Sequence, residues 1–431
     1  MIVAHGIGGR TDLPIPISML IVGSAVVLVV SFVALALLWP RPRLQTGPRY
    51  GEGGLLLPGQ RLLSAIGVLG LILVIGQLIP AIFDVTIDPG RPSIAPVMVW
   101  VVFWLVVPFA GALVGNWYAD LNPWRTLAEI FGIGSRERIG LPHLVGLWPA
   151  TGVLVGFVWL ELVGASPADA ATLGTAALVY TVVLLAAMAV VGRETGLTLF
   201  DAFTSYNRLI SSISPLGRGP TGKLVWRGWL RALPVVSEWP GLWVFVVAMI
   251  ATVSFDGSAD TDWFRGLTGG VGDTTAGATA LLLASVAVIG AAYYGASAAA
   301  AWLGGESWAT RAVAQRFAHT LVPIALAYAV SHYFTLIIFE GQQLIATLSD
   351  PFALGWDLFG TADRRVEYFI TSSTPIWLTQ VGLIVGGHVV AVVLAHDRSL
   401  QDFGPGAVRS QYAMLALMIA LTSLGLLILS G

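Results

Sequence analysis

Apolar stretches of about 20 residues, each long enough to cross the hydrocarbon layer as an α-helix, recur ten times along the chain. They lie near 17–39, 62–84, 94–114, 142–164, 171–192, 236–256, 277–301, 318–340, 375–397 and 411–430. No connection between them is long enough to fold alone. The largest are 193–235 and 341–374. The pattern predicts an all-α, polytopic integral membrane helix bundle of about ten transmembrane helices, forming a single transmembrane domain over 1–431.

Composition agrees. Hydrophobic residues make up 56% of the 431 and charged residues 11%, against roughly 25% charged in an average soluble domain. The net charge of -2, with Lys223 the only lysine, excludes nucleic acid as a partner and leaves the lipid bilayer. There is no cysteine, which removes disulfides, thiolate catalysis and cysteine-ligated metals. Any metal must be held by His, carboxylate, Met or carbonyl oxygen. The start "MIVAHGIGGRTDLPIPI" lacks a basic leader region, and no small-residue cleavage site follows the first apolar run, so the first helix is expected to be retained.

Arginine fixes the expected orientation, because cytoplasmic loops retain positive charge. Alternating the ten spans puts seventeen of the 22 Lys and Arg residues on one side, and Arg10, Arg91, Arg265, Arg364 and Arg365 on the other. Both termini are therefore expected to face outward from a cytoplasmic (inner) membrane. The connection 193–235 becomes a cytoplasmic loop whose amphipathic start and basic, Trp-bearing end suit an interfacial helix. The connection 341–374 becomes an outer capping loop.

Ionisable residues inside apolar spans are functional candidates by default. Span 318–340 holds His319 at its inner start, His332 inside and Glu340 at its outer end; span 375–397 holds His388 inside and His396 with Asp397 at its inner end. The two spans are consecutive and antiparallel. His332 and His388 then differ by about 7 Å in depth at ~1.5 Å per residue, a gap that an ion or cofactor can bridge. At ~100° per residue His319 and His332 point in nearly opposite directions, which separates an inner from a middle pair. Gly382 and Gly386, with Ala325 and Ala329 opposite, have the spacing of closely packed helices; alternatively the glycines make room for a flat cofactor beside His388.

A second cluster, "GNWYADLNPWRTL", places Asn116, Asp120, Asn122 and Arg125 where the third span leaves the membrane. It reads either as a rigid interfacial turn with an Asp–Arg pair or as a cytoplasmic gate. Asp84 and Glu161 join Glu340 on the outer rim, with His5 and Asp12 upstream. No P-loop, GxSxG, HExxH or CxxC motif occurs.

In "SHYFTLIIFEGQ", "DPFALGWDLFGTAD" and "GLIVGGHVVAVVLAHDRSL" the chain resembles a bacterial, largely actinobacterial, family of multi-spanning membrane proteins commonly labelled fenitrothion hydrolase, and the likeness extends to "GNWYADLNPWRTL" and "AHGIGGRTDLPIP". The resemblance implies hydrolysis of an organophosphate ester. It brings no catalytic residue with it.

Three function classes remain. The first is a transporter or permease-like protein for a metal cation or small polar solute. In it His332 and His388 are midplane metal ligands or proton carriers, Glu340 is an outer acceptor, and His319, His396 and Asp397 form the inner exit. The second is a membrane-embedded enzyme, hydrolase or redox, using a divalent metal ion or haem. The third is a non-catalytic subunit of a homo-oligomer or membrane complex, with the histidines as packing glue that bonds a neighbouring helix's carbonyl.

Overall fold

The computed structural model describes residues 15–51, 54–55, 59–83, 85, 87, 90–135, 145–220, 222–236, 240–305, 308–368 and 373–430. Among the described residues nine helices are long and apolar enough to cross a membrane. The expected tenth span is a shorter apolar helix, Trp148–Leu162. The chain is an all-α polytopic bundle. Among the described residues the strand is the hairpin β1 (Leu216–Arg218) and β2 (Leu224–Trp226), paired antiparallel.

The helices used below are α1 (Ile17–Leu38), α2 (Gln60–Ile75), α3 (Ile94–Val114), α4 (Pro123–Ile130), α5 (Trp148–Leu162), α6 (Ala170–Val191), α7 (Arg193–Leu199), α8 (Ala202–Ser211), α9 (Leu242–Ala259), α10 (Thr275–Gly304), α11 (Thr310–Phe317), α12 (Val322–Phe339), α13 (Ser373–Phe403) and α14 (Tyr412–Ser430). Helix α9 is apolar on nearly every face and packed by α5, α10 and α12, so it forms the centre of the bundle. Helices α1, α2 and α6 turn long rows of Val, Leu and Ile outward, as a lipid-facing ring requires. Helix α3 is wound with i→i+5 hydrogen bonds over Val97–Val106. A π-helix of that length is rare and tends to mark a site of function. Here it turns both Trp100 and Trp104 onto Phe157 of α5, at ring distances of 5.0 and 5.1 Å.

Helix α8 departs from expectation. Instead of lying along an interface it is buried over most of its surface, with Phe203 4.5 Å from Phe103 and Tyr206 4.8 Å from Trp104. Trp104 sits midway along α3, so α7 and α8 form a hairpin that re-enters the bundle to mid-depth. Its tip is Asp201, which is wholly buried. The Asp201 carboxylate caps α8 through the Phe203 amide and accepts from the Tyr180 hydroxyl (2.8 Å), Thr204 and Asn122. Non-helical backbone at this depth is tolerated only where protein surrounds it and satisfies its polar groups. The amphipathic pattern is real, but its polar side meets protein rather than water.

Helices α12 and α13 form the most extensive helix pair. They are clamped by a reciprocal pair of bonds: Ser331 donates to the Gln380 carbonyl (3.1 Å) and the Gln380 amide donates to the Ser331 carbonyl (2.8 Å). The close-packing glycine is Gly387, where a Cβ would come within 2.4 Å of the Ala327 methyl and 2.9 Å of the Pro323 carbonyl. Gly382 and Gly386, the expected pair, have nothing within 4 Å of such a Cβ and face away from α12. Gly387→Ala is therefore expected to destabilise the protein by about 1–3 kcal/mol through overpacking, while Gly386→Ala leaves stability unchanged or slightly raised. Thermal unfolding of the two purified variants separates these outcomes.

Candidate functional site

Three helices bring ionisable side chains together inside the bundle, toward its arginine-poor end. Asp256 lies one turn before the end of α9. One of its oxygens, Oδ2, accepts from His332 Nε2 (2.9 Å) and from the Tyr333 hydroxyl (2.7 Å), both on α12. Glu161, near the end of α5, is 4% exposed. It is close enough for its charge to act on both Asp256 and Tyr333. Neither Glu161 oxygen has a hydrogen-bond partner among the described residues. The Trp104 indole N–H, likewise buried without a hydrogen bond of good geometry, sits beside the Tyr333 hydroxyl. A carboxylate in this setting must pair or take up a proton. Asp256 has partners, and Glu161 is the group left unsatisfied.

Gly257 makes the close approach of α9 to this pocket feasible. A Cβ there would lie 3.3 Å from His332 Nδ1 and 2.4 Å from an Ile428 methyl. Above the cluster a cavity of about 650 Å³ is lined by Arg91, Trp100, Val101, Leu336, Glu340 and Gln343, among others. It reaches the surface past the exposed Val85 and Ile87. Leu336 follows Tyr333 by three residues and Val101 precedes Trp104 by three, so the floor of this vestibule is one helical turn from the cluster. Glu340 lines it, accepting from the Gln343 amide and, at 3.5 Å, from the Tyr368 hydroxyl. Arg91 donates to the Trp356 carbonyl and pairs with Asp363 and Asp350, tying the 341–374 segment over the same end.

The sequence-predicted residues are thereby redistributed. His332 belongs to the cluster, and Glu161 is an interior member of it rather than a rim residue. His388 is elsewhere. Its Nδ1 donates to its own helix at the Ile384 carbonyl (2.8 Å), its ring lies 5.7 Å from that of Tyr328, and it is wholly enclosed. A shared His332–His388 site is not formed. No group of three His, Asp or Glu side chains that could hold a metal exists among the described residues. Neither a bis-histidine haem nor a divalent ion bridging these two rings fits the donors present.

The inner-exit residues act as fasteners. Asp397 accepts from the Trp39 indole (3.0 Å), the Arg43 and Leu44 amides (2.5 and 3.0 Å) and the Gln45 side chain (3.0 Å). His396 faces the Trp39 carbonyl with one ring nitrogen and the Gln411 amide oxygen with the other. Together they pin the end of α1 to α13 and α14. His319 donates through Nδ1 to the Arg316 carbonyl (2.9 Å) and is buried. Asp84, His5 and Asp12 lie outside the described residues.

The turn after α3 is also rebuilt. Asp120 pairs with Arg218 on β1, not with Arg125. Arg125 makes a two-pronged bond to Glu194 (2.7 and 2.9 Å). Asn122 caps α4, accepting from the Trp124 and Arg125 amides, and its own amide donates to Asp201. Asn116 is adjacent, with its side-chain oxygen buried and unbonded among the described residues.

Asp256, Tyr333 and Trp104 were not picked out from the sequence. Asp256 occupies the last position of its predicted span, where an acid normally reaches water, and the following "GSADTD" looks like the start of a loop. The run Thr252, Ser254, Asp256, Ser258 was the available signal, since so polar a helix end is out of keeping with a lipid-facing one.

Outside the spans, Glu194 is opposed by desolvation but held below the ordinary glutamate range by the Arg125 hydrogen bonds and charge and then by Arg193. A depressed carboxyl stabilises the fold above its unfolded value, near 4.5, and that contribution is lost as pH falls through the folded value. Both partners are partly exposed, so Glu194→Gln is expected to cost no more than about 1 kcal/mol at pH 7. Denaturation of wild type and variant compared across pH should show the difference shrinking to nothing in acid. Neither a protein-family model nor a curated protein nor a solved structure matches the chain, and the chemistry of the site rests on these residues alone.

Proposed function

We propose that this integral membrane protein is a transporter that carries protons through its interior, residing in the cytoplasmic membrane with its arginine-poor face outward. The observation behind this reading is the convergence of Glu161, Asp256 and His332 from three helices beneath a vestibule. Titratable groups enclosed by apolar helices are expensive to maintain and are characteristic of proton relays in pumps and transporters.

In this reading Glu161 is the group that takes up and releases the proton. Asp256 is the fixed acceptor that orients His332 and Tyr333. Glu340 draws cations into the vestibule, and His332 passes the proton between the vestibule and the carboxylates. The donor set favours a proton over a metal cation, because a metal site needs more converging ligands than are present. His396 and Asp397, engaged in bonds that hold helices together, and His388 and His319, each bonded to its own chain, have no part in the path.

The test uses full-length protein in sealed proteoliposomes containing a pH-sensitive dye, with a proton gradient imposed and the membrane potential clamped. Wild type should dissipate the gradient faster than protein-free vesicles. Asp256→Asn and Glu161→Gln, checked for folding by gel filtration, should lose at least tenfold of the excess rate, whereas His388→Phe retains it. A wild-type rate equal to that of empty vesicles, or unchanged rates in both carboxyl variants, would falsify the proposal.

A further inference from the structure

A second cavity, of about 550 Å³, lies between α2, α3, α5 and α6, on the flank of the bundle. Its size is within the roughly 300–1,000 Å³ of small-molecule sites. Its mouth is bordered by Ile66, Val179 and Val183, all exposed on the outer surfaces of α2 and α6 and all within membrane-crossing segments. The opening therefore faces lipid. At the floor stand Pro123 and Trp124 at the start of α4, and Phe203 at the start of α8.

The polar groups in the walls are few, and most are occupied. The Trp124 indole donates to Thr181 (3.0 Å), the Trp159 indole to Thr279 (2.8 Å) and the Tyr180 hydroxyl to Asp201 (2.8 Å). Tyr118 is different. It is 2% exposed and lines the cavity, and its hydroxyl has no hydrogen-bond partner among the described residues. A buried unbonded hydroxyl is costly. The space in front of it is otherwise walled by apolar side chains such as Val102, Leu121, Leu160 and Phe157. An oxygen acceptor borne by an otherwise apolar molecule would satisfy the phenol without requiring others.

We propose that this cavity binds a lipid-soluble molecule, a hydrocarbon chain bearing a carbonyl, which enters from the bilayer between α2 and α6 and accepts a hydrogen bond from Tyr118. Two membrane constituents share that chemistry: a prenylated quinone through its ring carbonyl and a phospholipid through its acyl ester. The site is independent of the Glu161–Asp256–His332 cluster.

The experiment titrates purified full-length protein in detergent with decylubiquinone and, separately, with phosphatidylcholine brominated on its acyl chain. Both quench tryptophan fluorescence at short range, and Trp124 and Trp159 form part of the cavity wall. Two variants accompany wild type. Gly156→Leu projects into the cavity from a position where a Cβ meets nothing within 4 Å, and Tyr118→Phe removes only the hydroxyl. Saturable quenching is expected with wild type. It should weaken about fivefold in Tyr118→Phe, the value of one ordinary hydrogen bond, and vanish in Gly156→Leu. Saturation by the quinone alone assigns a quinone, by the brominated lipid alone a phospholipid, and by both a general carbonyl amphiphile. Quenching that never saturates, or curves identical in wild type and both variants, overturns the site.

Discussion

A carboxylate surrounded by hydrocarbon has no water to bind, and the neighbourhood of Asp256 is organised around that deficit. His332 and Tyr333, consecutive on α12, both aim at one of its oxygens. Gly257 lets the imidazole lie against α9, and the π-wound stretch of α3 brings Trp104 to the tyrosine. These contacts join α3, α9 and α12 and fix their register at this depth. Glu161 enters the same enclosure with no comparable support. Two buried acids in one enclosure thus differ in their hydrogen bonding among the described residues, Asp256 partnered and Glu161 not.

The same rule, that buried carboxylates need protein partners, explains two other parts of the interior. The hairpin of α7 and α8 can re-enter the bundle because Asp201 at its tip is met by Tyr180, Thr204, Asn122 and the Phe203 amide. Asp397 collects four donors from the segment after α1 and so anchors the first helix to the penultimate one. His388 and His319 each return one hydrogen bond to their own chain, and the other ring nitrogen is buried and unbonded among the described residues. An imidazole in a span is thus no evidence of a site by itself. What distinguishes His332 is that its partner is an acid on another helix.

Hydropathy was sufficient to read the class, the number of spans to within one short helix, and the antiparallel contact of α12 with α13. Rotational setting was harder to read. The Gly382 and Gly386 spacing suggested a packing face, yet the contact runs through Gly387, because a run of "GG" leaves the choice between adjacent faces to the partner's side chains. Depth misled as well: Glu161 and Asp256 both fall where a span should meet water, and only the converging helices show that they turn inward. Partners distant in sequence, such as Asp120 with Arg218 or Arg125 with Glu194, leave no local trace, and the nearer arginine was the wrong one for Asp120.

The account stands on water reaching the turn above Asp256 and His332 from the arginine-poor face. The chain has no cysteine, so a single Leu336→Cys on the vestibule floor can be labelled cleanly in sealed vesicles. A membrane-impermeant thiol reagent applied to the arginine-poor face should modify it, and the same reagent applied to the other face should not. Modification only from the arginine-rich face, or only by lipid-soluble reagents, would contradict the account.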